Sequence, residues 1–101
     1  MNVHYFKEHI PDELHGAKDY IKQAIEIKAM SPAWAKSFAE MSANELEHAN
    51  NLYKMFQEYY AKISGSFSEM PKYIEEAKEE IDEEYVECSA TIKYLHDMFK
   101  L

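Results

Sequence analysis

The sequence predicts a small all-α protein made of three helices. Three observations carry that prediction. Glycine and proline are scarce, 2 and 3 in 101 residues, so the chain has few places to turn. Glu, Lys, Ala, Met and Leu are plentiful while Val occurs only twice, a balance that suits helices and not sheets. Apolar residues also recur at steps of three and four along long segments, interrupted at Ser31-Pro32 and at Ser64-Gly65-Ser66. With 47% hydrophobic residues the chain can build a core, and its length suits one domain over residues 1–101.

The first helix is expected from about Pro11 to Met30. Proline fits a first helical turn, where its missing N–H costs nothing, and Asp12 and Glu13 suit the positive end of the helix dipole. Residues 3–9 would add a short extension kinked at Pro11. Ile10, Leu14, Ala17, Tyr20, Ile21, Ala24, Ile25 and Ile27 give this segment a wide apolar face. Ser31-Pro32 reads as an N-cap followed by proline at the first helical position, opening a second helix to about Ile63. Its inner row is Trp34, Phe38, Met41, Glu45, His48, Leu52, Met55 and Tyr59. Ser68 is the expected cap of a third helix, with Pro71 in its first turn and its end near Phe99. The row here is Ile74, Ala77, Ile81, Glu84, Cys88, Thr91, Leu95 and Met98. Short turns make successive helices antiparallel, hence an up-down-up bundle.

Charge removes several function classes. There are 19 Asp and Glu against 11 Lys, with no Arg, for a formal net charge of −8. A nucleic-acid backbone or an anionic membrane surface needs a basic patch, so neither is an expected partner. Cys88 is the only cysteine, so no internal disulfide forms. No signal peptide is visible at the start, and no apolar run approaches the ~20 residues that span a bilayer. A soluble protein of a reducing cytoplasm is expected.

Two polar residues interrupt the inner row of the second helix. In Glu45-Leu-Glu-His48, a carboxylate and an imidazole three residues apart occupy positions that should be apolar, where they are costly unless something satisfies them. Reflection through a turn near Ser31 sets Glu13 level with His48 and Glu45. Reflection through a turn near Ser66 sets Glu84 level with His48. At about 1.5 Å rise per residue, Glu13, Glu45, His48 and Glu84 fall within one turn along the bundle axis. Three carboxylates in one dry layer would repel and take up protons, a problem that a cation removes. Carboxylates with one imidazole suit iron or manganese better than zinc.

Blander readings stand beside this one. Acidic helices produce Glu-x-x-His by chance, and a small rotation of the third helix would expose Glu84 and bury Tyr85. Tyr20 either supports a metal-bound carboxylate through its hydroxyl or packs in the core with that hydroxyl at the rim. His4, His9, His15 and His96 are expected in solvent, Glu87 on a solvated face and Cys88 in the core. Trp34, Phe38, Met41 and Met55 read as packing residues.

The sequence resembles the rubrerythrin-like branch of the ferritin-like superfamily. Glu13-Leu-His-Gly-Ala-Lys-Asp-Tyr20 is similar to the first-helix motif of that family, and Phe38-Ala-Glu-Met-Ser-Ala-Asn-Glu45-Leu-Glu-His48-Ala to its second-helix motif. Residues 10–60 carry the likeness, and the remainder matches only in being helical. The resemblance implies a bundle holding two metal ions, iron or manganese, on one Glu from each of two helices and a Glu-x-x-His from each of two others. Carried over by position, Glu13 is the single Glu and Glu45 with His48 the motif, with Glu84 the candidate from the third helix. The second Glu-x-x-His is not found, since His96 lies ~18 Å along the helix from Glu84, and there is no cysteine-rich rubredoxin-like module. Two protomers paired about a two-fold axis would supply the full set; alternatively Glu84 completes a site within one protomer. The expectation is a ferritin-like bundle, completed by dimerisation, in which a di-iron or di-manganese carboxylate centre reacts with oxygen or peroxide, as an oxidoreductase for iron oxidation and storage or for peroxide removal. The competing expectation is a non-enzymatic interaction module with a degenerate site, docking through exposed tyrosines such as Tyr53, Tyr59, Tyr60 and Tyr73.

Overall fold

Helix caps set where the chain begins and ends its three elements. The computed structural model describes residues 2–101, which form α1 (Val3–Ile27), α2 (Pro32–Ser64) and α3 (Lys72–Lys100). Asn2 caps α1 by accepting the His4 N–H at 2.9 Å. Ser31 caps α2 by accepting the Trp34 N–H at 3.2 Å, with Pro32 in the first turn as expected. Ser68 does not cap α3. The position before a proline disfavours helical geometry, so Met70 cannot enter the helix and α3 starts after Pro71, whose carbonyl accepts the Ile74 N–H at 3.0 Å.

The structure corrects the start of α1. Residues 3–9 are helical, as the expected extension, but the helix begins at Val3 and not at Pro11, and one element runs through the proline. An internal proline costs ~3 kcal/mol. Val3, Phe6 and Ile10 are all buried, and each such side chain contributes ~1.5–3 kcal/mol, so burial outweighs the interruption.

α1 is the common packing partner. It lies against both α2 and α3, whereas the backbones of α2 and α3 scarcely approach one another. Lys7 pairs with Glu80 at 3.1 Å and the Lys28 ammonium donates to the Phe99 carbonyl, so α1 and α3 run parallel. Phe6 packs on Phe56 and Tyr59 at one end and Tyr20 on Phe38 towards the other, so α2 runs antiparallel to α1. The up-down-up order is therefore present, in an elongated body of 57 × 20 × 16 Å. Its radius of gyration, 16.2 Å, exceeds the ~13 Å of a compact chain of this length.

Which faces are buried differs from the expected rows. On α2 the buried residues are Ala35, Ser42, Ala49 and Phe56, seven apart, so the helix is turned by about one residue. Trp34 is 60% exposed and Met55 50% exposed, and Met41 also faces out. A row of mostly small side chains lets α1 approach closely, and close approach is what fills a helix–helix contact. On α3, Ile74, Ala77, Ile81 and Cys88 are buried as expected, but Ile92 then replaces Thr91. The Thr91 hydroxyl instead donates to the Glu87 carbonyl at 3.1 Å, and Met98 is exposed.

Long polar side chains bridge α2 and α3 where their backbones do not meet. The Tyr53 and Tyr85 rings stack at 3.9 Å, the Tyr53 hydroxyl donates to Asp82 at 2.7 Å and the Tyr85 hydroxyl to Asn50 at 2.6 Å. Burial, with the Asp82 hydrogen bond, pushes the Tyr53 phenol up to about 12. Nearer the other end, the buried Ser42 hydroxyl donates to the Ala17 carbonyl and lies 2.9 Å from His96 Nε2. That hydroxyl has one proton, so His96 Nε2–H is the donor to Ser42 and the three helices are pinned at one point. His96 is thus half-buried and bonded, not in solvent as expected. No described helix is long and apolar enough to cross a membrane.

Two predictions follow from this packing. Ile92→Ala should destabilise the fold by about 2–5 kcal/mol and Thr91→Ala by less than about 0.5 kcal/mol in urea unfolding; equal effects would contradict the α3 face described. Burial, reinforced by Lys100, lowers the His96 pKa below its ordinary 6.5. The unfolded chain then binds that proton more tightly, so His96 makes stability rise with pH from its lowered folded pKa up to about 6.5, and contributes nothing further above it. Thermal melts of the His96→Gln variant should show a shallower rise across that interval.

Candidate metal centre

Antiparallel packing of α1 on α2 brings Glu13 opposite Glu45 and His48. The last two lie three residues apart and so share one helix face. One ligand atom from each of the three residues falls within 4.8 Å of the others. Three of the four sequence-predicted ligands are therefore together. The cluster sits at the open flank of the α1–α2 contact and not in a dry central layer: Glu13 and Glu45 are half-buried and His48 is exposed.

The electrostatics of the cluster are unresolved within the chain itself. Glu13 Oε2 is buried and has no hydrogen-bond donor. His48 Nδ1 stands 3.5 Å from it, an ion-pair distance without hydrogen-bond geometry. The Glu45 carboxyl can serve Glu13 only when protonated. That potential hydrogen bond, then burial and the Glu13 charge, hold the Glu45 pKa above the ordinary carboxyl value, while His48 acts the other way. Two carboxylates in this position need either a shared proton or a cation. An orphaned buried oxygen, a second carboxylate and an imidazole form a donor set that fits a hard or borderline metal ion.

Gly16 lets the Glu45 carboxylate approach α1 closely. A Cβ at this position would stand 3.2 Å from Glu45 Oε2. The Glu45 carboxylate thus lies against bare α1 backbone, one turn along from Glu13. Sequence reasoning passed over this residue, although a glycine inside a helix costs ~1 kcal/mol relative to alanine and so signals a reason for its presence.

Glu84 is not with the other three. It accepts a 2.6 Å hydrogen bond from His15 Nε2, on the other side of α1. Axial level was right and azimuth was wrong. Residues two apart on a helix point ~200° apart, so Glu13 faces α2 while His15 faces α3. His15 is exposed, as expected, and hydrogen-bonded to Glu84. Glu87 is exposed and Cys88 buried, both as expected. Tyr20 is half-buried and continues the Glu13 side of α1, its ring 6.2 Å from that of Phe38.

Comparison with known proteins places this geometry. A family model described as Rubrerythrin matches residues 6–99. The match covers α3 as well as the two helices that carry the cluster, and so reaches beyond residues 10–60. No curated protein and no solved structure gives a significant match. With all but the outermost residues of the three helices inside the matched span, the chain belongs to the rubrerythrin family, within the ferritin-like superfamily.

Proposed function

We propose that this protein is a non-haem carboxylate metalloprotein, of iron or manganese, whose two-metal site is completed between two protomers. The buried and unpartnered Glu13 Oε2, set against Glu45 and His48 on an open helix flank, is the observation that carries this reading. The chain holds one single Glu and one Glu-x-x-His where the ferritin-like pattern needs two of each. A two-fold pairing of the α1–α2 flanks supplies exactly one further copy of both, through an interface that is the same patch on each subunit. Charge supports the count: four carboxylates from two protomers balance two divalent cations with the imidazoles neutral.

The surface around the cluster supports the same pairing. Trp34, Met41 and Met55 are exposed on the row of α2 that contains His48. They lie on both sides of the cluster along the helix, and among the described residues they remain exposed. Brought together about a two-fold axis, the three side chains would be withdrawn from water and so favour association.

Within the site, Glu13 and Glu45 would bind through carboxylate oxygens and His48 through Nδ1, its nitrogen nearer the carboxylates. A bound metal pair supplies electrons and open coordination positions for oxygen or peroxide. The chain's own part is to hold the donors. Gly16 keeps Glu45 against α1, and the apolar rows would exclude water from the paired flanks. Iron oxidation or peroxide removal, both oxidoreductase reactions, are the chemistries this arrangement suits.

Iron loading combined with sedimentation tests the proposal. The wild type should take up about one Fe²⁺ or Mn²⁺ per chain with formation of a dimer or a multiple of it, and Glu45→Ala should bind none. A wild type that binds neither metal, or binds it as a monomer, overturns the reading. Met41→Glu places a charge on the apolar row without touching a donor; it should shift the protein to monomer and lower metal content at least about tenfold. Gly16→Ala should leave thermal stability unchanged or raised by up to ~1 kcal/mol, because only the flexible end of Glu45 must give way. Metal affinity should nonetheless fall, as read by chelator competition.

A further inference from the structure

α1 carries donors on both sides. Opposite the Glu13 cluster, His15 on α1 meets Glu84 and Cys88 on α3, and one atom from each, the His15 nitrogen, a Glu84 oxygen and the Cys88 sulfur, falls within 4.8 Å of the others. Glu84 and Cys88 are four residues apart and therefore share the α3 face that points at α1. We propose that His15, Glu84 and Cys88 form a second, separate metal site selective for a zinc-like divalent cation.

The donor chemistry separates the two sites. Glu13, Glu45 and His48 offer oxygen and one nitrogen, which suit iron or manganese. His15, Glu84 and Cys88 offer one nitrogen, one oxygen and one sulfur, each an ordinary zinc ligand, and three protein ligands leave a fourth tetrahedral position for water. Thiolate shifts preference away from hard cations. Cys88 binds as thiolate, with its proton passing to solvent, and His15 binds as neutral imidazole.

The site opens to solvent at its His15–Glu84 end, where carboxylates outnumber lysines, while Lys18 and Lys22 stand nearer Cys88. Two shallow concavities between α1 and α3 meet at His15 and Glu84, one of them bordered by Cys88. Glu83 and Glu87 stand on their rims. Lys18 is the cation that shares a rim with Cys88, while Lys7 is engaged by Glu80 at 3.1 Å. The 2.6 Å His15–Glu84 hydrogen bond holds two of the donors together in advance. Inserting a cation needs that contact to open by well under 1.5 Å, given metal–ligand distances of ~2.0–2.3 Å.

Cobalt titration of the full chain decides the matter, because thiolate-bound Co²⁺ absorbs in the near ultraviolet. The wild type should gain a thiolate-to-metal band that saturates near one equivalent per chain and is bleached by Zn²⁺. Cys88→Ser should abolish the band, and His15→Ala and Glu84→Gln should each weaken binding at least about tenfold, with helical circular dichroism unchanged. Because Glu84→Gln alters only a half-buried surface carboxylate, it keeps the test decisive if His15→Ala disturbs folding. Absence of the band in the wild type overturns the proposal. So does a band of unchanged affinity in both the His15 and the Glu84 variants, since the thiol alone would then be responsible. The Glu45→Ala variant should retain the band, and Cys88→Ser should retain iron uptake, so failure of one site is distinguishable from failure of the other.

Discussion

The packing of α1 against two partners at once is the constraint on which the rest of the structure depends. α1 buries Val3, Phe6, Ile10, Leu14, Ala17, Ile21 and Ala24, and both α2 and α3 bury their apolar faces against it. Since α2 and α3 meet each other mainly through side chains, each keeps a flank that no described element covers. The Ser42–His96 contact and the Tyr53–Tyr85 stack hold the outer helices in fixed azimuth around α1. Rotating either outer helix by one residue would break these bridges and scatter the donor cluster to which that helix contributes.

That geometry explains why polar chemistry gathers at the seams. A carboxylate buried inside a three-helix core would be forced to protonate. At the edge of a two-helix contact, Glu13 and Glu45 can be half-buried, close to one another, and still open to a cation. The hydrogen bond that a protonated Glu45 can give Glu13, then burial and the Glu13 charge, raise the Glu45 pKa, and the Glu13 oxygen is left without a partner. Gly16, a residue that costs helix propensity, lies directly against the Glu45 carboxylate.

Much was legible in the sequence. Sparse punctuation and the periodicity of three and four gave the helix count, and Ser31-Pro32 gave one boundary to the residue. Glu13, Glu45 and His48 were found because an antiparallel hairpin with a short turn makes axial level a matter of counting residues. Misplaced elements have equally physical causes. Pro11 was read as a start signal because its local cost is plain, whereas the burial of Val3 and Phe6 that offsets it depends on Phe56 and Tyr59, fifty residues away. Glu84 was put at the right height on the wrong side of α1, because level follows from chain length but azimuth does not.

The sequence by itself determined which segments are helices, how they alternate in direction and which residues share an axial layer, since these follow from propensity, capping and rise per residue. Only the tertiary structure decided which face of each helix is buried. α2 has two rows able to pack, the bulky Trp34, Met41 and Met55 and the small Ala35, Ser42 and Ala49, and local pattern ranks the bulky row as core. Close approach to α1 selects the small row and turns the bulky one outward, and with it the edge on which His48 stands. Membership of the rubrerythrin family rests on motifs that the sequence displays. The division of donors into one cluster on each side of α1 rests on that choice of faces.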